Sequence, residues 1–247
     1  MICTGKAMCW LPVPGLFVIL GYHIWMFIWY TGRSLITMRR EHIWREEIRM
    51  QCLFSLEEYM TTWRQMERLV DLGLVRSIGM SNMTITKLEQ VLPLCRIKPT
   101  VLEVEINPTF QQPKLFEYCK AHDIQLIAFS PMGSPCRPER DTEEGDVVTF
   151  ELPELKKIAE AHCCHPATVC VKWAVQRGQI PIPFSIFEKE YVGNLKCTTE
   201  DFLCEEEMEI LRKADKNARL IKGKVFLWED AKDWRDIWDG EDEWNTL

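Results

Sequence analysis

The strongest constraint on the fold is an alternation of short apolar strands with amphipathic helices, which begins near residue 52. This order is typical of parallel βα units, because a strand must cross over through a helix before the next parallel strand can pair with it. The chain therefore predicts one parallel sheet, with half of the strands that a closed eight-stranded barrel requires. The four strands are predicted over 75–80, 101–106, 125–129 and 180–183.

Local signals mark several helix ends. Ser55 and Glu58 form a capping box before the first helix, and Gly73 ends it. Pro113 suits the first turn of another helix. The later helices are predicted over 86–92, 113–122, 153–162, 166–176, 189–195 and 205–214.

Composition excludes some functional classes. Apolar residues make up 47% and charged residues 27% of the 247 residues, as in ordinary globular proteins. The net charge of −7 argues against nucleic acid as a partner. The eleven cysteines are scattered without CxxC pairs, which favours reduced thiols and a cytoplasmic location. No metal site is expected, because four consecutive residues (His162, Cys163, Cys164, His165) point in different directions.

Four strand ends carry a resemblance to a known family. They are Gly73 to Asn82, Val101 to Pro108, Ala128 to Ser134 and Ile180 to Ser185. In order and spacing they resemble the C-terminal half of the aldo-keto reductases. The resemblance implies an α/β fold of the (β/α)8 TIM-barrel family, incomplete, with about strands 5–8 and their helices. Residues 53–247 would form this partial barrel domain, with a C-terminal tail from about residue 216.

The resemblance also implies a nicotinamide cofactor site at the strand ends, where parallel barrels bind their ligands. Glu103 stands where the family usually has an amide, and Phe129 where it usually has Tyr. Stacking on a nicotinamide ring needs only the face of the aromatic ring. Glu105 is interpreted as an internal polar group of the barrel rather than as half of a carboxylate pair for glycoside chemistry. The implied contacts are Ser81, Asn82 and Glu103 to the carboxamide, Phe129 to the ring, Ser130, Met132 and Ser134 to the pyrophosphate, and Ser185 and Asn194 near the adenosine.

Two departures bear on the choice of cofactor. The family usually has Lys at the position of Phe184 and Arg at that of Glu190, and these cations bind the 2′-phosphate of NADP. Lys189 is a possible substitute for them. NADPH is therefore the expectation of the family, and NAD is not excluded.

The resemblance implies reduction of a small aldehyde or ketone to an alcohol, with a Tyr as proton donor beside Lys, Asp and His. No residue of this chain stands in a matching context, so no catalytic residue is assigned. The expected function is an impaired NADPH-dependent reductase. The alternatives are a non-catalytic remnant or mistranslated product with weak nucleotide binding, and a membrane-anchored interaction protein. Residues 222–228 are expected to border the substrate pocket.

Residues 1–52 do not resemble the rest of the domain. Residues 10–30 form a 21-residue stretch without charged side chains, which is long enough to cross a bilayer, although Pro12, Pro14 and Gly15 disfavour a spanning helix. A second interpretation is translation out of frame. Read two nucleotides later, the codons of residues 24–33 permit Leu-Asp-Val-Tyr-Leu-Val-His-Trp-Pro, the strand that carries the family's His. A membrane span is the less favoured of the two.

Half a barrel exposes two sheet edges and an apolar inner face. The sequence therefore predicts marginal stability and aggregation unless a partner or the N-terminal segment covers them.

Overall fold

A computed structural model describes residues 17–21, 26–28 and 54–241, and its strands form one six-stranded sheet. The order across the sheet is β2-β1-β3-β4-β5-β6. Neighbouring strands are parallel, except that β1 and β2 are antiparallel. The strands are β1 (Phe17–Gly21), β2 (Met26–Ile28), β3 (Ser77–Ser81), β4 (Val101–Glu105), β5 (Gln125–Phe129) and β6 (Ile180–Pro181).

Helices follow β3, β4, β5 and β6 as βα units require, so the predicted α/β class and the parallel arrangement of the four predicted strands are confirmed. The arrangement is that of an incomplete (β/α)8 barrel. Short 3-10 turns lie at Leu92–Leu94, Glu139–Asp141, Thr149–Glu151, Lys224–Phe226 and Trp234–Trp238. The helices are α1 (Leu56–Asp71), α2 (Ile85–Val91), α3 (Pro113–Ala121), α4 (Pro153–Ala161), α5 (Pro166–Gln176), α6 (Glu188–Lys196) and α7 (Glu205–Arg212).

The first helix shows how the sequence sets these elements. The Ser55 hydroxyl accepts the backbone N–H of Glu58 at 3.4 Å, which caps α1 as predicted. The fully buried Trp63 packs into the core, and its indole N–H donates to the carbonyl of Ile97 at 3.2 Å. Gly73 follows the helix at φ +66°, a conformation that glycine adopts without strain. The helix therefore begins and ends at local signals and is fixed by tertiary packing between them.

Strands β3 and β4 approach each other closely at Gly79. A Cβ atom on Gly79 would lie 2.4 Å from the Val101 side chain and 2.8 Å from its carbonyl oxygen. Only glycine permits this approach, which sets the register that pairs Ser81 with Glu103. The site residues at the ends of these strands depend on that register.

The N-terminal strands were not predicted. β1 lies parallel beside β3 with Leu20 opposite Met80, and β2 pairs with β1. Both strands fall in the segment interpreted above as a membrane span or an out-of-frame product. The rest of that segment lies outside the described residues. Among the residues that the structure does describe, no helix is long and apolar enough to cross a membrane.

The expectation of an uncovered inner face is wrong for β4, which is buried at all five positions. It holds in part at β5, where Gln125, Ile127 and Phe129 are half-buried while Leu126 and Ala128 are buried. Exposed apolar side chains are concentrated instead after β6, at Phe184 and Ile186 among others.

Candidate functional site

The carboxyl ends of β3, β4 and β5 bring the first group of predicted site residues together. Ser81 pairs with Glu103, and Phe129 pairs with Glu105. Paired residues of neighbouring strands point to the same face of the sheet, and so do residues two positions apart. Ser81, Glu103 and Phe129 therefore share one face at the end of the sheet where parallel barrels bind their ligands.

Asn82 ends β3 in a left-handed turn. Its φ is +55°, and its backbone N–H donates to the carbonyl of Glu103 at 3.0 Å. The side-chain oxygen Oδ1 of Asn82 is buried and has no hydrogen-bond partner within the described part of the chain. A buried acceptor without a donor costs about 1–3 kcal/mol, so this atom is suited to an N–H donor from a ligand.

Glu103 pairs with Ser81, the residue before Asn82, and only 7% of its surface is exposed. Burial raises the pKa of its carboxyl group above the ordinary value, because desolvation disfavours the charged form. The carboxyl oxygens of Glu103 can accept the N–H groups of a carboxamide, as the oxygen of the expected amide would.

The turn after β5 is held in a fixed shape. Ser130 has φ +48°, and its carbonyl accepts the N–H of Gly133 at 2.9 Å. A Cβ on Gly133 would lie 2.7 Å from the Thr149 hydroxyl, so the backbone approaches that residue closely. The carbonyl of Ser134 accepts a bond from the Arg137 guanidinium at 3.0 Å, and Met132 packs against the core.

A contact that the sequence analysis missed fixes the tail over β4. The Glu105 carboxylate is fully buried and accepts the N–H groups of Leu220 at 3.1 Å and Ile221 at 2.9 Å. Its interpretation as an internal polar group understated this role. No local signal marks it, because the two partners lie more than one hundred positions apart.

The tail also contacts the loop between β5 and α4. Lys222 is 3.0 Å from Asp146, which in turn lies 2.5 Å from Arg137. The pKa of Asp146 is lowered: burial acts to raise it, but the N–H of Glu143 and the two cations outweigh burial. An open pocket of about 230 Å³ lies at this junction, lined by Glu143, Asp146, Asn217, Ala218, Arg219, Lys222, Trp234 and Arg235.

The last two predicted contacts form a separate group. Ser185 donates to the Glu190 carboxylate at 2.6 Å and accepts the N–H of Phe187 at 3.2 Å. Asn194 lies on α6, where its carbonyl accepts the thiol of Cys197. The residues expected to contact the nicotinamide and the two expected near the adenosine thus lie on different segments.

Two further motifs can be placed. The ring nitrogens of His162 lie 2.8 Å from Asp201 and 3.0 Å from Glu207. Across the described residues, no cluster of three or more His, Cys, Asp or Glu side chains could hold a metal ion.

The described tyrosines, Tyr59, Tyr118 and Tyr191, all lie on helices rather than at strand ends.

Comparison with known proteins agrees with this architecture. Residues 19–216 match the profile of the Aldo/keto reductase family, and the match begins inside β1. The chain is 41% identical to the NADPH-dependent D-xylose reductase of Candida boidinii over 158 residues, which are 63% of this chain and 49% of that protein. It is 36% identical to the human Aldo-keto reductase family 1 member A1 over 168 residues, 68% of this chain and 51% of that protein.

A third relative extends the comparison. The Danio rerio Aldo-keto reductase family 1 member A1-A is 33% identical over 180 residues, 70% of this chain and 54% of that protein. The chain spans about half the length of the curated relatives it matches. The fold is that of a (β/α)8-barrel oxidoreductase family whose members use nicotinamide cofactors on carbonyl substrates. The chain belongs to the aldo-keto reductase family.

Proposed function

We propose that this chain binds NADPH at the carboxyl ends of β3, β4 and β5 and reduces an aldehyde or ketone to an alcohol with low turnover. The observation that carries the proposal is the buried Oδ1 atom of Asn82, which lacks a hydrogen-bond donor among the described residues. Asn82 ends β3, and its backbone N–H donates to the carbonyl of Glu103, whose side chain is buried. Parallel barrels bind their ligands at this end of the strands. This combination suits a carboxamide, which offers two N–H donors and one carbonyl acceptor.

Each atom of a carboxamide would have a counterpart in this arrangement. Asn82 Oδ1 would accept one N–H, and the Glu103 carboxyl group would accept the other. Ser81 lies opposite Glu103 in the register and adds a hydroxyl. Phe129, half-buried on the same face, would stack on the nicotinamide ring. The bound cofactor would supply the hydride for carbonyl reduction.

The rest of the dinucleotide would follow the chain away from these strands. The turn at Ser130, Met132 and Ser134 would carry the pyrophosphate, and Ser185 and Asn194 would lie near the adenosine. Support for NADPH over NADH comes from the relatives, one of which is named an NADPH-dependent reductase. The Glu190 carboxylate lies 2.6 Å from Ser185 and would repel the negatively charged 2′-phosphate of NADPH. We therefore expect the preference for NADPH over NADH to be small.

Low turnover follows from the placement of the tyrosines. The reaction needs a proton donor within hydrogen-bond reach of the carbonyl oxygen. In residues 54–241 the tyrosines lie on α1, α3 and α6, and none of them is a strand-end residue. The same observation favours a second candidate function, which is nucleotide binding without catalysis.

Two measurements on the full chain test the proposal. Isothermal titration calorimetry with NADPH and NADH measures binding, and the decrease in absorbance of NADPH with a short aldehyde measures turnover. We expect saturable binding of both nucleotides and slow, aldehyde-dependent oxidation. Binding without oxidation would leave only the second candidate function, and no binding would contradict both.

A further inference from the structure

The structure leaves an apolar surface exposed beyond β6. Eight of the twelve large apolar side chains that are most exposed among the described residues lie between positions 180 and 202. Five of them surround the start and one side of α6, and we call these five the α6 face. Its members are Phe184, Ile186, Phe187, Tyr191 and Leu195, which are between 51% and 72% exposed.

Helix α6 gains little from its own chain. It has nine residues, and none of them is buried. Helices this short are marginal in water unless an apolar side packs against another surface. Phe187, Tyr191 and Leu195 follow each other at intervals of four, so they form one continuous stripe along the helix. The stripe has the form of a helix-packing surface.

We infer that the α6 face is the interface between two copies of this chain, with the two α6 helices packed antiparallel about a twofold axis. The stripe has nearly the same pattern in both directions. Tyr191 lies at its centre, with Phe187 and Leu195 four positions to either side. An antiparallel pair therefore brings Phe187 of each copy against Leu195 of the other.

The charges beside the stripe have the same twofold complementarity. Glu188 follows Phe187 at the beginning of α6, and Lys196 follows Leu195 at its end. Antiparallel pairing brings these opposite charges together at both ends of the interface. It also places each helix dipole against the opposite end of the other. Lys189 and Glu190 add one charge of each sign near the start of the helix, so they leave this balance unchanged.

The area of the face is close to what a stable dimer needs. Large side chains present about 200 Å² each, so five that are exposed by half to three quarters offer roughly 600 Å². A specific interface of standard size buries about 800 Å² on each partner. Ile182 and Phe202 precede and follow the α6 face in the sequence and are 45% and 56% exposed, so they are available to supply the remainder. Exposed apolar patches of this size in soluble proteins mark interaction sites.

Sedimentation velocity of the full chain without nucleotide tests the inference; nucleotide is omitted because Ser185 and Asn194 belong to the proposed cofactor site on the same segment. We expect the mass of a dimer at micromolar concentration. Leu195→Glu is expected to yield the mass of a monomer. Leu72→Glu is the matched control, since Leu72 is 65% exposed and lies at the C-terminal end of another helix, and this variant is expected to remain dimeric.

Exchanging the two charges at the ends of α6 distinguishes a second copy of this chain from any other molecule or segment that could cover the α6 face. Glu188→Lys or Lys196→Glu alone is expected to weaken the dimer about tenfold through two like-charge contacts, and the double variant is expected to restore it. Restoration requires that both residues meet in the same interface. A monomeric wild type would overturn the inference and assign the face to another occupant, such as the residues outside the described ranges. Particles larger than a dimer, a dimeric Leu195→Glu variant, or failure of the double variant would contradict it as well.

Discussion

The buried carboxylate of Glu105 accepts the backbone N–H of Leu220 at 3.1 Å, and this bond joins the centre of the sheet to the tail. A second bond to the N–H of Ile221 makes the contact two-pronged. The tail thereby lies next to the carboxyl end of β4, two positions along the strand from Glu103. Glu103 and Glu105 are both glutamates and face the same side of the sheet, but their surroundings differ. Glu105 accepts two backbone N–H groups as a carboxylate, whereas burial disfavours the charged form of Glu103.

The pair predicts opposite effects of one substitution. Glu105→Gln is expected to lower the free energy of unfolding by about 2 kcal/mol, because it replaces a charge-assisted acceptor and turns an amide N–H₂ toward a backbone donor. Glu103→Gln is expected to leave stability unchanged or raise it, since burial already raises the pKa of that carboxyl. Urea denaturation followed by circular dichroism measures both. An equal decrease in the free energy of unfolding in the two variants would refute the different roles assigned to Glu103 and Glu105.

The contact between Lys87 and Asp239 predicts a second asymmetry. The side chain of Lys87 is 2% exposed, and its ammonium lies 2.6 Å from the carboxylate of Asp239, whose side chain is 28% exposed. Burial lowers the pKa of Lys87, and Asp239 opposes that shift. Asp239→Asn is expected to cost about 2–3 kcal/mol, because it leaves a buried cation with less compensation. Lys87→Met is expected to cost less, since water can solvate the carboxylate that remains. Thermal unfolding of the two variants decides the order.

His162 predicts a dependence of stability on pH. Its pKa is raised, first by the hydrogen bond with Asp201 and then by that with Glu207, while Lys172 also contacts Asp201 at 2.5 Å. When the pKa of a histidine is higher in the folded than in the unfolded state, its protonation stabilises the folded state. That stabilisation is complete below the ordinary imidazole pKa of about 6.5 and is lost as pH rises through the raised value. The urea midpoint is therefore expected to fall as pH rises above about 6.5.

A histidine variant isolates this effect from other titrations. In His162→Gln the decrease of the urea midpoint over that pH range is expected to be smaller than in the wild type. His122→Gln serves as the control, because the ring of His122 faces the carbonyl of Tyr118. A wild-type midpoint that rises with pH over the same range would contradict the assignment.

Glu190 predicts a change in cofactor preference. Glu190→Arg removes the carboxylate beside Ser185 and adds a guanidinium that can bind a 2′-phosphate. Its affinity for NADPH is expected to rise about tenfold while its affinity for NADH stays nearly constant, since a charge-assisted hydrogen bond contributes about 1.5–3 kcal/mol. Calorimetric titration of both nucleotides measures the ratio. A parallel change in the two affinities would show that Glu190 does not lie near the 2′ position.

Much of the fold could be predicted because its signals are local. The strand over 125–129 and the helix over 166–176 were predicted at their observed bounds, since proline marks a helix start and a polar turn ends the strand. The strands β1 and β2 were missed, because a long apolar run fits a buried strand and a membrane helix equally well by periodicity.

The site residues could likewise be predicted where the signal is local and not where it depends on distant contacts. The polar residues at strand ends follow from chain order, so Ser81 and Glu103 could be expected to meet. The link from Glu105 to the tail joins distant positions, and no pattern in a single sequence marks such a pair. The orphaned atom of Asn82 depends on burial, which only the folded chain defines.

The proposed cofactor site depends on that Oδ1 atom, and the variant Asn82→Gly removes it. Glycine keeps the left-handed backbone at φ +55° and removes only the side chain, so the variant is expected to unfold at nearly the wild-type temperature. Gln90→Ala, at an exposed position on α2, is the control. Calorimetric titration with NADPH is expected to show binding at least tenfold weaker in Asn82→Gly than in the wild type and the control. Equal affinity in all three folded proteins would show that the Asn82 side chain does not bind the cofactor.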